Sequence, residues 1–467
     1  MIRHSQQLKI AFDFKGPFMP ITSTEDTAER LARLQDIIED LLKEAKRQGA
    51  SAAEASVGSS AGLDVAVRLG EVETVEHTRD NGLAIAVYFG HRKGSASTSD
   101  LSPAAVRDAV KAACVIASQT QEDRCAHLAP PELLATHFPD LDLYHPWSIT
   151  VEDAIALAVT CEDAARSYDA RIVNSEGASL SSHSSIHVVG NSHGFIGGYP
   201  TTRHSLDCAV IGQDGDQMQR DAWWTSARCA QDLEFASQVG ERAAARTVAR
   251  LGARRIPTQQ TPVLFRADIV PGLLGGLISA ISGGSIYRRA SFLLDQVGER
   301  IFPEFVRIHE LPHLPRGLAS APFDGDGVAT RAKDFITDGV LQTYLLSVYS
   351  GCRLGLPTTG NAGGVRNVHV VMGDRDRTAM LRELHTGLMV TELMGHGVNL
   401  VTGDYSQGAA GFWVERGEIQ YPVEEITIAG NLKTMFAGLV DIGNDCDFIG
   451  RIRTGSWLID QMTIAGE

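Results

Sequence analysis

Apolar positions recur along this chain with two periods. Leu31, Leu34, Ile37, Ile38, Leu41, Leu42 and Ala45 share one stripe of a 3.6-residue helix. Thr22 or Ser23 can cap it, Glu25 and Asp26 suit its first turn, and Gly49 stops it. A period of two then takes over in Leu63–Leu69, Val72–Thr78 and Leu83–Phe89, which predicts strands, with Asp80-Asn81-Gly82 as a turn between the last two. Ser102-Pro103 opens a second helix to Ser118, Thr150 starts a third to about Ser167, and a fourth is predicted from about Leu233 to Leu251. Strands are expected around Ile172 and over Ser184–Val189 and Cys208–Ile211. From Gly252 to Pro262 the pattern lapses into a linker; beyond it the chain is glycine-rich and strand-like, with hairpin signals at Asp338-Gly339 and Arg416-Gly417. The pattern predicts an α+β protein: an extension over residues 1–21, an α/β-mixed N-terminal domain over 22–255, and a mainly antiparallel β C-terminal domain over 260–467.

Two stretches stand out from this pattern. Val390–Leu432 holds seven glycines and four aromatics, which predicts tightly turned antiparallel strands whose glycines let one backbone approach another. Ile269–Tyr287 is 19 residues without a charge, but it contains Pro271, five glycines and three serines. A spanning helix needs about 20 predominantly apolar residues, so a buried helix or turn-helix is the expectation. Gly272, Gly276, Ala280 and Gly284 recur every fourth residue, a small-residue ridge that suits close packing within the core or at an interface.

Charge and cysteines narrow the function. The net charge is −15 and no long Lys/Arg run is present, so a phosphate backbone would be repelled and nucleic-acid binding is not expected. Seven scattered cysteines with no CxxC pair argue against a disulfide framework and a zinc ribbon, and for reduced, buried thiols. The N-terminus shows no apolar signal region, and a cytoplasmic protein is expected.

Several short motifs suggest chemistry. Gly190-Asn191-Ser192-His193-Gly194 matches G-x-S-x-G, but Phe195 to Pro200 is a poor helix start, and a hairpin turn fits better than a nucleophile elbow. His183, His187, His193 and His204 resemble a ligand group; on a strand the first two stand roughly 13 Å apart, too far to share an ion, which makes them polar-face histidines. Asp324-Gly325-Asp326-Gly327 lacks the rest of a calcium loop and reads as a turn. Thr391-Glu392-Leu393-Met394-Gly395-His396 has the glutamate and second histidine of a zincin helix, yet threonine replaces the first imidazole. Glu392 is therefore expected in solvent, and His396 at the surface or on a cap.

Longer blocks carry a resemblance. Val390–Leu432 closely resembles the C-terminal signature of the PmbA/TldE side of the TldD/TldE metallopeptidase family. Gly70–Glu73 with Arg92–Ser97, Asn191–Gly194 with Thr202–Ser205, and Gly317–Ser320 with Pro322–Asp324 resemble other parts of the same family in the same order. The resemblance covers about residue 30 to 467. It implies a heterodimer in which a TldD-type chain carries HExxxH and zinc or a similar divalent metal. Here the corresponding segment is Gly275–Ala280: glycines stand for the first histidine and the glutamate, and Ala280 for the second histidine. No catalytic residue and no metal ligand is therefore expected in this chain.

The resemblance implies a substrate-presenting subunit that helps the partner degrade or trim unfolded and leader-bearing peptides, and it leaves a homodimer open when the partner is absent. Candidate groove or interface residues are Gly272, Gly276, Arg288, Tyr405, Phe412 and Trp413, with strand addition at exposed edges of the C-terminal sheet. Phe412 and Trp413 lie on opposite faces of one strand, so at least one points into the core. Two alternatives remain: a non-catalytic interaction protein of the gyrase-modulator type, and a serine hydrolase using Ser192.

Overall fold

The computed structural model describes residues 27–447 and 450–466; the N-terminal extension and the cap candidates Thr22 and Ser23 lie outside the described residues. Helix α1 (Thr27–Arg47) buries Leu34, Ile38, Leu41 and Ala45, as its stripe predicts. Six antiparallel strands follow: β1 (Ala52–Arg68), β2 (Glu71–Phe89), β3 (Arg92–Thr98), β4 (Ile172–Asn191), β5 (Ile196–Asp214) and β6 (Gln217–Ala227), in the order β3-β2-β1-β4-β5-β6. Helices α2 (Pro103–Gln119, capped by Ser102), α3 (Val151–Ser167, capped by Thr150) and α4 (Ala236–Ala249) join α1 on one face. The long strands hold two cores on that face. Val57, Leu83, Ile85 and Val188 pack under α1 and α2, and Leu63, Val65, Leu180 and Cys208 under α3 and α4.

The expected turn at Asp80-Asn81-Gly82 does not form. β2 runs straight through it, pairing these residues with Ser60, Ser59 and Gly58 of β1. Local turn preference loses because the ladder continues on both sides. The chain reverses instead at Leu69-Gly70, both in the left-handed region at φ 54° and 79°. The fully buried Glu162 of α3 holds this turn by accepting both of its N–H groups at 2.8 Å.

Beyond residue 258 the chain forms two further sheets. One orders β10-β9-β8-β11-β16, from β8 (Ile308–Glu310), β9 (Lys333–Thr337), β10 (Val340–Leu341), β11 (Val368–Val370) and β16 (Ile452–Arg453). The other orders β14-β13-β12-β7-β17-β15, from β7 (Gln259–Phe265), β12 (Gly387–Met394), β13 (Asp404–Glu415), β14 (Glu418–Asn431), β15 (Leu439–Ile442) and β17 (Trp457–Ala465). The end of β17 pairs back onto β14, so this sheet closes on itself. Asp338-Gly339 and Arg416-Gly417 make the expected hairpin turns, all four with positive φ. Helices α5 (Val270–Ala280), α6 (Gly283–Tyr287), α7 (Val348–Leu354), α8 (Arg377–Leu384) and α9 (Leu432–Ala437) complete an α+β fold. Among the described residues no helix is long and apolar enough to cross a membrane. The small-residue ridge is also shorter than its spacing suggests, because α5 ends at Ala280 and Gly284 belongs to α6.

The two halves of the chain meet over an aromatic cluster and an ionic one. Phe195 at the β4–β5 hairpin packs edge-on against Phe323, ring centroids 5.2 Å apart. Arg246 of α4 bridges Asp221 at 3.0 Å and Asp268 at 2.9 Å. A disulfide joins Cys125 to Cys352 of α7, with Cα atoms 5.4 Å apart. That corrects the expectation of reduced thiols throughout: the two cysteines stand 227 residues apart, and spacing along the chain says nothing about so distant a pair. Protein denatured without reductant should titrate five thiols, and seven after reduction. Seven from the start would show that the bond is absent.

Candidate functional site

Helix α5 carries the segment that resembles a metal-binding helix, and its side chains decide what it can do. Gly276 is buried; a Cβ there would sit 3.2 Å from Leu432 Cδ1 of α9. Ala280 is sealed in the core. Gly275 faces open space, with nothing within 4 Å of a Cβ, and Gly272 is exposed with Leu393 Cδ1 at 3.8 Å. The three ligand positions, Gly275, Gly276 and Ala280, carry no side-chain donor, and the segment's one side-chain oxygen is the exposed Ser279 hydroxyl, so the residues present do not fit a metal. Among the described residues no group of three or more His, Cys, Asp or Glu is placed to hold an ion. Arg288, past the end of α6, is exposed, with its guanidinium 5.3 Å from the Tyr287 ring centre.

The face of the first sheet away from the helices is polar throughout its middle. It presents Ser60, Gly62 and Asp64 from β1, with Ser185 and His183 from β4 in register opposite the first two. Thr201 and Arg203 of β5 extend the same rows. His183 lies across Gly62 to place Nε2 2.9 Å from Asp64 Oδ1. A Cβ on Gly62 would fall 2.1 Å from the imidazole, so only glycine permits this contact. The histidines therefore do not converge. His183 and His187 sit on the open face, whereas His204 is buried on the other face, between Ser182 Oγ at 3.0 Å and the His145 carbonyl at 2.9 Å. His193 places Nδ1 2.9 Å from the Ala129 carbonyl. Burial holds His204 below the usual histidine range.

Ser192 lies in the hairpin turn between β4 and β5, as its sequence context predicts. Its hydroxyl accepts from the Ala53 N–H at 3.0 Å, and among the described residues no imidazole bonds it. A strand-turn-helix elbow is absent, which removes the geometry the serine hydrolase alternative needs. Asp324 likewise makes a turn, accepting from the N–H groups of Asp326, Val328 and Ala362. Burial and the neighbouring Asp326 carboxylate push Asp324 up to about 6.

Thr391–Met394 belongs to strand β12, so Glu392 and His396 cannot share a helical face. Glu392 is not free in solvent as expected: its carboxylate lies 2.5 Å from Arg250, which caps the end of α4, a contact between the two halves of the chain. His396 is exposed. Tyr405, Phe412 and Trp413 are all core residues, 2%, 9% and 7% exposed, which corrects their place as groove candidates. Phe412 packs beneath α8, while Trp413 and Tyr405 join the main core on the opposite face. In the C-terminal sheet β14 pairs with β17 over Thr427–Ala429, which covers part of the edge expected there. A long free edge is Glu71–Gly82 of β2, exposed along almost its whole length and paired only with β1.

The chain matches the PmbA/TldA metallopeptidase domain 1 over residues 53–117, the central domain over 144–251 and the C-terminal domain over 258–466. It is 50% identical to the metalloprotease PmbA of Escherichia coli O157:H7 over 415 residues, 89% of this chain and 92% of that protein. The PmbA homolog of Haemophilus influenzae is 48% identical over 423 residues, 90% of this chain and 94% of that one. A solved structure from Bacteroides thetaiotaomicron, described as a modulator of DNA gyrase, superposes with a TM-score of 0.88 at 25% identity, covering 95% of this chain and 100% of that one. TldE of Thermococcus kodakarensis superposes with a TM-score of 0.80 at 20% identity, covering 92% and 100%, a likeness that shows the shared fold.

Proposed function

The chain belongs to the PmbA/TldA metallopeptidase family, and from that premise we propose that it is the non-catalytic, substrate-presenting subunit of a cytoplasmic two-chain metallopeptidase. Its partner is a TldD-type chain that carries the metal, and the substrate is an unfolded or leader-bearing peptide. One observation supports this reading above the rest: α5 is a helix at the place of the metal-binding segment, with Gly275, Gly276 and Ala280 offering no donor. Chemistry that needs a Lewis acid and a glutamate base must come from another chain. What this chain supplies is shape: an uncovered polar sheet face, and the free edge of β2, where an extended peptide or a partner strand can add by main-chain hydrogen bonds.

The test is peptidase activity on an unfolded peptide, with metal quantified, for this chain alone and mixed with a TldD-type chain. Activity and metal are expected only in the mixture, and a chelator should abolish the activity. Stoichiometric metal with chelator-sensitive cleavage by this chain alone would overturn the reading. Complex formation without any cleavage would favour an interaction protein of the gyrase-modulator type.

A further inference from the structure

The disulfide between the two halves of the chain closes over weak surface contacts. Cys125 lies in the irregular stretch after α2 and is sealed from solvent, whereas Cys352, in the last turn of α7, is partly exposed. Beside the bond, Tyr349 donates its hydroxyl to Asp123 at 2.8 Å, and the Arg353 guanidinium stands 3.8 Å from the same carboxylate. Exposed pairs of this kind contribute little to stability. Asp123 also orders its own loop. It accepts from the Cys125 N–H at 3.0 Å, and its own N–H donates to the His91 carbonyl in the β2–β3 turn at 3.0 Å. The apolar contact behind this loop is small, built from Tyr88, Ala126 and Leu128.

The two ends of α7 are held differently. The N-terminal end is anchored without the bond: Ser347 caps it, and Asp326 accepts from the Val348 N–H at 2.8 Å. The Val348 side chain also joins the cluster of Leu134, Phe195, Phe323 and Val328. Toward the C-terminal end the ties to the N-terminal half are the disulfide and the two contacts to Asp123. That end of α7 also shapes α6. Gly283 of α6 lies so close to Ser350 that a Cβ would meet its hydroxyl at 2.3 Å. The Tyr287 ring packs edge-on against Tyr349, centroids 5.8 Å apart, with the Arg353 guanidinium 5.8 Å from its centre. Arg288, next along the chain, is exposed.

We propose that Cys125–Cys352 is a redox latch that clamps the C-terminal end of α7, and with it the Tyr287–Arg288 end of α6, to the N-terminal half. A dithiol opens it in two exchange steps. One thiolate of the reductant attacks the sulfur of Cys352, the more exposed of the two. The sulfur–sulfur bond breaks, and its electron pair leaves on the Cys125 sulfur, which takes up a proton. The second thiolate then attacks the mixed disulfide, which oxidises the reductant to its own disulfide and releases Cys352 to be protonated. The two protons given up by the dithiol end on the two cysteines. A low-molecular-weight disulfide closes the latch by the reverse exchange. Where glutathione and dithiols keep thiols reduced, a bond of this kind is transient and regulatory. That use of the latch rests on the cytoplasmic reading; the latch itself does not.

The full chain is compared by amide hydrogen exchange after oxidised glutathione and after dithiothreitol, with free thiols counted in each state. Opening the latch should speed exchange by about tenfold or more over residues 123–128, 283–289 and 349–356, and leave α1, α3 and the C-terminal sheet unchanged. Returning the reduced chain to oxidised glutathione should restore slow exchange. Cys352→Ser should exchange fast over these segments in both conditions, which separates the latch from modification of the five other cysteines. Cys125→Ser should match it, and either variant suffices if the other folds poorly. Equal exchange in the two states overturns the proposal. So does acceleration spread evenly over the whole C-terminal half, the mark of a general staple, or a bond that dithiothreitol does not open in the folded chain. The readout involves no peptidase activity, so failure of the two-chain reading leaves the latch standing, and failure of the latch leaves that reading untouched.

Discussion

Writing the metal-binding set into α5, as the triple variant Gly275→His, Gly276→Glu, Ala280→His, is expected to destroy the fold of the C-terminal half instead of yielding a zinc protein. Ala280 is fully buried, and an imidazole there would overpack the core, typically at about 1–3 kcal/mol, and would bury polar nitrogens without partners at a similar cost. Gly276 is pressed by Leu432, so a glutamate would have to displace α9 or carry its charge into an apolar cluster. Together these exceed about 5 kcal/mol, which is the lower end of what a whole domain has to lose. Gly275→His alone is a control, because its Cβ meets nothing within 4 Å and stability should change by less than about 0.5 kcal/mol. Urea unfolding followed by circular dichroism, with zinc measured on the purified variants, reads both outcomes. A folded triple variant with one equivalent of zinc would show that the segment is a metal helix lacking only its side chains, and that the packing around it imposes nothing.

The same packing explains what the sequence made legible. Signals confined to one turn or one helix came through: the stripe of α1, the caps Ser102 and Thr150, and the hairpin turns at Asp338-Gly339 and Arg416-Gly417. Each depends on residues within a few positions of one another. The failures all depend on a distant partner. Asp80-Asn81-Gly82 has the chemistry of a turn but lies opposite a strand that does not end there. Tyr405 and Trp413 look like groove residues until the surrounding strands enclose them. Glu392 looks solvated until Arg250 arrives from the end of α4. Cys125 and Cys352 look like unrelated thiols until the two halves of the chain come together. For the candidate site this means that what α5 lacks could be read from the sequence, whereas what the chain offers in its place could not.

Glu310→Ala is expected to cost about 3–5 kcal/mol, the usual penalty for breaking a buried ion pair from one side. Glu310 is completely buried on β8, in register with Lys333 of β9, whose Nζ lies 3.0 Å from its carboxylate. Asn361 Nδ2 donates to both carboxylate oxygens at 3.1 and 3.2 Å, and the Arg366 N–H donates at 2.5 Å. Losing the carboxylate strands the Lys333 charge, the Arg366 N–H and one side of Asn361 inside the sheet. Lys333→Met alone should also destabilise, since Glu310 would keep its charge without a cation. Glu310→Ala combined with Lys333→Met removes both charges, so the double variant should be more stable than the sum of the singles by at least about 2 kcal/mol. Urea unfolding of all four proteins measures that coupling, and strict additivity would mean the pair does not act as a unit.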